Sequence, residues 1–191
     1  MARKDFDLIT EWVEPNSRVL DLGCGDGSLL KLLNKKRNTS GYGVDTSIDK
    51  TIKSLDNTIN IINADINDHM DFFKDKSFDY VILAQSLQVV DNPVSLIKEM
   101  LRIGTEVIIS FPNMGYWRSR LYLFFRGEMP VTSELPFSWH STPNIHLCTI
   151  RDFKKMCISN NFQITEEVIN NVNGKNISAS LLNNLTGTSA I

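Results

Sequence analysis

"VLDLGCGDGS", residues 19–28, decides the fold. A short apolar run runs into Gly23, Gly25 and Gly27, and then into "SLLKLLNKK" (28–36). Leu29, Leu30, Leu32 and Leu33 of that second run share one helical side, with lysines opposite. Glycines at a strand-to-helix turn permit tight backbone angles, let a ligand approach the main chain, and bring helix and strand close. The next strand, "GYGVD" (41–45), ends in Asp45. That is about 20 residues beyond the loop, where a nucleotide-binding crossover puts a carboxylate to hold ribose hydroxyls.

The same alternation continues outward in both directions. Residues 4–13 form an amphipathic helix ended near Pro15, and "SIDKTIKSL" (47–55) repeats apolar residues at helical spacing. "INIINAD" (59–65), "SFDYVILAQ" (77–85) and "TEVIISF" (105–111) supply a third, fourth and fifth strand. Asn92 caps, and Pro93 opens, a helix that runs to about Ile103. Thr149 with Asp152 reads as a capping box for a helix to about Ser159, and "FQITEEVI" (162–169) as a sixth strand. In the Asn-rich tail only "NISASLL" is weakly strand-like. The expectation is an α/β, doubly wound, Rossmann-like fold with a mostly parallel sheet of seven strands, or six with the last edge cut short. It is expected to be a single domain over 1–191, with an inserted lid or interface segment at 113–149.

Composition narrows the function classes. A chain of 191 residues, 42% hydrophobic and 22% charged, suits one globular α/β domain. A net charge of −2 gives no general attraction to nucleic acid or an anionic membrane. "MARKDFDLITEW" lacks the apolar centre of a secretion signal, and no apolar run approaches ~18 residues. Cys24, Cys148 and Cys157 are odd in number and lack CxxC spacing, which argues against a disulfide framework and points to the cytoplasm.

The glycine pattern is GxGxG, with Ser28 where a dinucleotide fingerprint wants its third glycine. Asp21 lies near the position a phosphate would take, where a carboxylate repels it. Both features favour a ligand without phosphate that carries a cation and a ribose, and both disfavour a NAD-dependent oxidoreductase. The stretch resembles motif I of the class I S-adenosylmethionine-dependent methyltransferases. That resemblance implies S-adenosylmethionine or S-adenosylhomocysteine as cofactor, cradled by Gly23, Cys24, Gly25 and Gly27. It puts Asp21 near the methionine portion, Asp45 with Thr46 at the ribose hydroxyls, and Asp65 with Ile66 beside the adenine. Gln85, Ser86 and Leu87, in "FDYVILAQSLQVV", follow as cofactor neighbours. The plainer alternatives are glycines kept for packing, Asp45 capping the helix after it, and Asp65 capping its own loop. "AQSLQ" is not the Asn/Asp-Pro-Pro-aromatic pattern of amino-methylating nucleic-acid enzymes, and no Pro-Cys pair suits cytosine-C5 chemistry.

Between Asn113 and His146 stand seven of the chain's 17 aromatics, three arginines and two of its three histidines. A segment after the fifth strand emerges on the ligand side of a doubly wound sheet. Tyr116, Trp117, Trp139, His140 and His146 are its pocket candidates, with Tyr116, His140 and His146 also the candidates for a catalytic role that the sequence leaves unassigned. Arg118, Arg120 and Arg126 suit an anion or a partner-facing edge, and Leu121, Leu123, Phe124 and Phe125 read as helix core. The two histidines lack a third ligand nearby, so no metal is expected. "RVLDLGCGDG", "SFDYVILAQSLQVV", "KEMLRIG", "SFPNMGYWRSRL", "GEMPVT" and "LPFSWHSTPNIHLCTIRDF" together resemble the methionine-biosynthesis MetW family from about Phe6 to Phe162. The resemblance implies a cofactor-binding protein that works with homoserine O-acetyltransferase, either moving a methyl group to a small acceptor or sensing S-adenosylmethionine without methyl transfer.

Overall fold

In the computed structural model the described residues are 3–47, 59–68, 70–132, 135–170, 176–177 and 189–190. The helix expected over 47–55 lies, beyond its first residue, outside them. The chain divides into two compact units, Met1–Ile109 and Ser110–Ile191.

The first unit holds α1 (Lys4–Trp12), β1 (Arg18–Leu22), α2 (Ser28–Arg37), β2 (Ser40–Asp45), β3 (Asn60–Asn63), β4 (Phe78–Ala84), α3 (Pro93–Ile103) and the start of β5 (Gly104–Pro112). The strands lie in the order β3-β2-β1-β4-β5, a five-stranded parallel sheet of Rossmann-like methyltransferase type. In β1, Val19, Leu20 and Leu22 are all fully buried, so both faces of the strand are covered, as a sheet between helix layers requires. Asp21 pairs with Gly43 on one side and Ile82 on the other, which centres it in the sheet. Strand order reverses between β1 and β4, and that switch point is where such sheets leave a crevice beyond their carboxyl ends.

Local chemistry sets the helices. The Asn92 side chain accepts from Ser95 N–H at 3.1 Å with Pro93 in the first turn, as the cap reading expects. Leu96, Ile97, Met100 and Ile103 then bury one face of α3. In α2, Leu29, Leu30 and Leu33 are buried, and Lys35, Lys36 and Arg37 complement the dipole of the last turn. Each leucine fully buried in this way contributes roughly 1.5–3 kcal/mol.

The second unit holds the end of β5, α4 (Trp117–Arg126), α5 (Ile150–Ser159) and three short strands, β6 (Ile169–Asn170), β7 (Asn176–Ile177) and β8 (Ser189–Ala190). The capping box forms as read: Thr149 Oγ1 accepts from Asp152 N–H at 3.2 Å, and the Asp152 carboxylate accepts from Thr149 N–H at 3.3 Å.

Two expectations are corrected here. The seven- or six-stranded, mostly parallel sheet is not what the described residues show: among them, beyond the five parallel strands, the pairings are antiparallel ladders of two residue pairs, β5 with β8, β8 with β6, and β6 with β7. Residues 162–168 carry no strand, and Ile164, 42% exposed, has no buried face to hold it. Nor do Leu121, Leu123, Phe124 and Phe125 enter a core, since α4 buries only Ser119. Among the described residues no helix is long and apolar enough to cross a membrane.

Candidate functional site

The site begins where β1 stops. Gly23 and Cys24 both donate their N–H to the Val44 carbonyl, at 2.8 and 3.1 Å, which ties the turn to the end of β2. Gly27 N–H closes the turn on Cys24 O at 3.0 Å and starts α2. Gly23 has φ of +69°, and a Cβ there would stand 2.7 Å from Ser86 Oγ, which puts the loop after β4 directly against the glycine turn. Gly25, at φ +59°, has no atom within 4 Å of where a Cβ would be, so its main chain faces open space.

Asp45 stitches the neighbouring strand end to this turn. One carboxylate oxygen accepts from Gly25 N–H and the other from Ser47 N–H, both at 2.8 Å. Asp45 therefore caps the segment after β2, as the plainer alternative held, and also spans to the glycine turn. Two bonds leave acceptor capacity on both oxygens for a pair of hydroxyls. The Asn63 amide donates to Asp45 O and Thr46 O, at 3.3 and 3.1 Å, and fastens the end of β3 to the same place. Asp65 is exposed and caps its own turn, accepting from Asn67 N–H at 2.9 Å. Ile66, next to it, lines a shallow cleft with Met70, Val90 and Leu96.

Asp21 is electrostatically the most unusual group. It is 2% exposed, and among the described residues its Oδ1 has no hydrogen-bond partner. Burial pushes its carboxyl up to about 7; the charge of Arg3 pulls the other way, and Asp45 and Asp5 raise it further. An unpartnered buried carboxylate oxygen costs free energy unless something positive or donating meets it. Beside it, burial pushes the Cys24 thiol up to about 12, with Asp21 and Asp45 adding to the rise, so this sulfur stays a neutral thiol rather than a nucleophile. At the end of β4, Gln85 takes the left-handed conformation (φ +58°), uncommon for a residue with a side chain. The Gln88 amide holds it by donating to Gln85 O at 2.8 Å. Ser86 Oγ reaches Ala84 O at 3.3 Å, and Leu87 is buried.

The first unit thus gathers Asp21, Gly23, Cys24, Gly25, Gly27, Asp45, Thr46 and Ser86 around one turn. Tyr116, His140 and His146 all belong to the second unit. Tyr116 is half-buried with its ring centre 6.0 Å from that of Trp117, His140 is exposed with its ring centre 5.6 Å from that of Trp139, and His146 is exposed. Among the described residues no three His, Cys, Asp or Glu side chains cluster as a metal site would. Sequence reasoning missed the Arg3–Asp5 ion pair (2.6 Å) whose charges bear on Asp21, and the Asn63 and Gln88 bonds. These are tertiary pairings with no local spacing to announce them. Chemically, the turn suits a ligand with a cation for Asp21, vicinal hydroxyls for Asp45 and a body that lies along bare main chain at Gly25.

Residues 3–191 match the family described as methionine biosynthesis protein MetW. The chain is 38% identical over 173 residues to the bifunctional methionine biosynthesis protein MetXA/MetW of Rhodopirellula baltica, a match covering 86% of this chain and 28% of that one. It is 30% identical over 134 residues to the demethylmenaquinone methyltransferase of Staphylococcus carnosus, covering 64% of this chain and 56% of that one. The chain therefore spans about a quarter and about half of these relatives' lengths. Among solved structures, an S-adenosylmethionine dependent methyltransferase from Mesorhizobium loti superposes with a TM-score of 0.66 over 87% of this chain and 84% of that one. At 15% identity that likeness shows the fold.

Proposed function

The chain belongs to the methionine biosynthesis protein MetW family, and on that premise we propose that it binds S-adenosylmethionine, or S-adenosylhomocysteine, and acts with homoserine O-acetyltransferase in methionine biosynthesis. The observation that carries the cofactor reading is the buried, unpartnered Asp21 Oδ1 beside a glycine turn with open space at Gly25. The residues present fit this group. Asp21 meets the positive methionine portion, Asp45 takes the two ribose hydroxyls, and Gly25 leaves room for the ligand against the main chain. Thr46 goes with Asp45 at the ribose, Asp65 and Ile66 with the adenine end, and Gln85, Ser86 and Leu87 with the side next to β4. When bound, the sulfonium supplies a methyl group already activated for transfer. The protein's part is then to hold and orient rather than to furnish a strong base. The partnership is supported by a relative named for both MetXA and MetW in one chain, MetXA being a homoserine acetyltransferase. Segment 113–149 is its interface.

A second reading, a sensor that binds the cofactor without moving its methyl, is favoured by one observation. The described titratable side chains of the turn are Asp21 and Asp45, both given to ligand binding, a Cys24 thiol pushed up to about 12, and Asp26, held below its ordinary value by the Ser28 hydroxyl that donates to it. Calorimetry with S-adenosylmethionine, followed by an assay for S-adenosylhomocysteine with small-molecule acceptors, separates the two readings. Binding with turnover supports the enzyme, and binding without turnover supports the sensor. No binding removes both.

A further inference from the structure

Helix α4 sits unlike the other helices. Where α2 and α3 bury an apolar face, α4 buries only Ser119. At about 100° per residue, Trp117, Leu121, Phe124 and Phe125 share a narrow stripe on the side away from Ser119. Phe124 is 79% exposed and Phe125 75%, with Trp117 and Leu121 nearly half exposed. Arg118 and Arg120 border this stripe on its two flanks, Arg126 closes the helix on the Ser119 side, and the helix holds no acidic residue. The Arg118 guanidinium lies over the Trp117 ring at 5.4 Å, and Arg120 Nε donates to Gly115 O at 2.6 Å. Among the described residues none of the three arginines is in an ion pair.

We propose that this stripe is a protein-docking surface, and that its occupant is a patch of the acetyltransferase with an apolar groove rimmed by carboxylates. The inference rests on the partnership proposed above and narrows it to one helix face. Two exposed phenylalanines that can each bury ~150–250 Å² supply a large part of the ~800 Å² a side that a specific interface uses. Aromatic side chains beside arginine are the composition of interface hot spots. The flanking charges set the partner's chemistry, because unpaired guanidiniums beside a stripe that loses its water call for carboxylates opposite them. They also argue against a second copy of this chain. A two-fold contact through α4 sets the same surface against itself, arginine flanks included. A lipid surface is disfavoured by Glu128, which follows the helix and accepts from the Tyr122 hydroxyl at 3.3 Å, and by a net charge of −2.

The test mixes the purified chain with homoserine O-acetyltransferase from the same organism in a calorimeter. Light scattering on the chain alone and sedimentation with phosphatidylserine vesicles run alongside. The wild-type chain is expected to bind. The double variant Phe124→Ser, Phe125→Ser should weaken binding about 100-fold, as loss of a central hot spot does. Arg118→Glu should weaken it about fivefold and flatten its salt dependence. Both should keep the wild-type melting temperature and affinity for S-adenosylhomocysteine. Should either variant misfold, the other decides. Wild-type binding that neither variant changes overturns the surface and leaves the partnership standing. No wild-type binding removes the partnership, and the occupant assigned here with it. A dimer that the phenylalanine variant splits, or vesicle binding that it abolishes, overturns the proposal in favour of a second copy or a lipid surface.

Discussion

The ends of β1 and β2 and the helix α4 handle their side chains in opposite ways. Around the glycine turn, apolar residues are fully buried and a carboxylate, Asp21, is buried with them. On α4 it is the aromatics that stay outside, and a serine that is buried. In the first unit burial largely follows the rule of strand and helix periodicity, and a buried acid with an unpartnered oxygen is the exception on which the proposed ligand site rests. In the second unit the rule is broken along a whole helix, α4, where no charged side chain is among the buried residues described. A violation by a polar atom inside points to a small ligand, and a violation by large apolar groups outside points to a macromolecule.

The largest effect that tests this contrast is a core deletion. Leu22→Ala, at a fully buried position of β1, should cost about 2–5 kcal/mol of stability in denaturant unfolding. A loss under ~1 kcal/mol would mean that the strand is not held as described. Asp45→Ala comes next. It removes charge-assisted bonds to Gly25 N–H and to a ligand, so S-adenosylmethionine affinity measured by calorimetry should fall by roughly 1.5–3 kcal/mol. Unchanged affinity would take Asp45 out of the site. The smallest effect belongs to α4, where Phe124→Ala should change stability by less than ~0.5 kcal/mol, as surface substitutions do. A loss of about 3–5 kcal/mol would return Phe124 to a core and erase the difference between the two regions.

What could be read from sequence tracks how local the determining physics is. The glycine turn, the Asn92 and Thr149 caps and the bounds of α3 depend on residues within a few positions of one another, and all form as the spacing indicates. The buried strands β1 and β4 announce themselves as continuous apolar runs. Asp45 is legible because a crossover fixes its distance from the glycines, and its bond to Gly25 N–H is that distance realised. The sixth strand failed because "FQITEEVI" carries strand propensity, whereas only Ile169 and Asn170 find a partner to pair with. The α4 aromatics failed for a different reason. Helical spacing tells which residues share a face but not whether anything covers that face. The Asp21 environment was half legible: the acid stands beside the glycines, but the Arg3 and Asp5 charges that act on it come from the start of α1.

The carboxyl of Asp21 supplies the most direct test. Its value in the folded chain, about 7, lies above the ordinary 3.8. The ligand-free fold therefore holds a proton that the unfolded chain releases, and stability falls as pH rises from 4 through 7. A cationic ligand prefers the ionised carboxylate, so its affinity moves the other way. Titrating S-adenosylmethionine into the wild-type chain and Asp21→Asn at pH 6, 7 and 8 should show wild-type affinity rising about tenfold across that range. The variant should bind weakly with little dependence on pH. No binding by the wild-type chain, or the same affinity in both proteins at every pH, would contradict the assignment of this turn as the cofactor site.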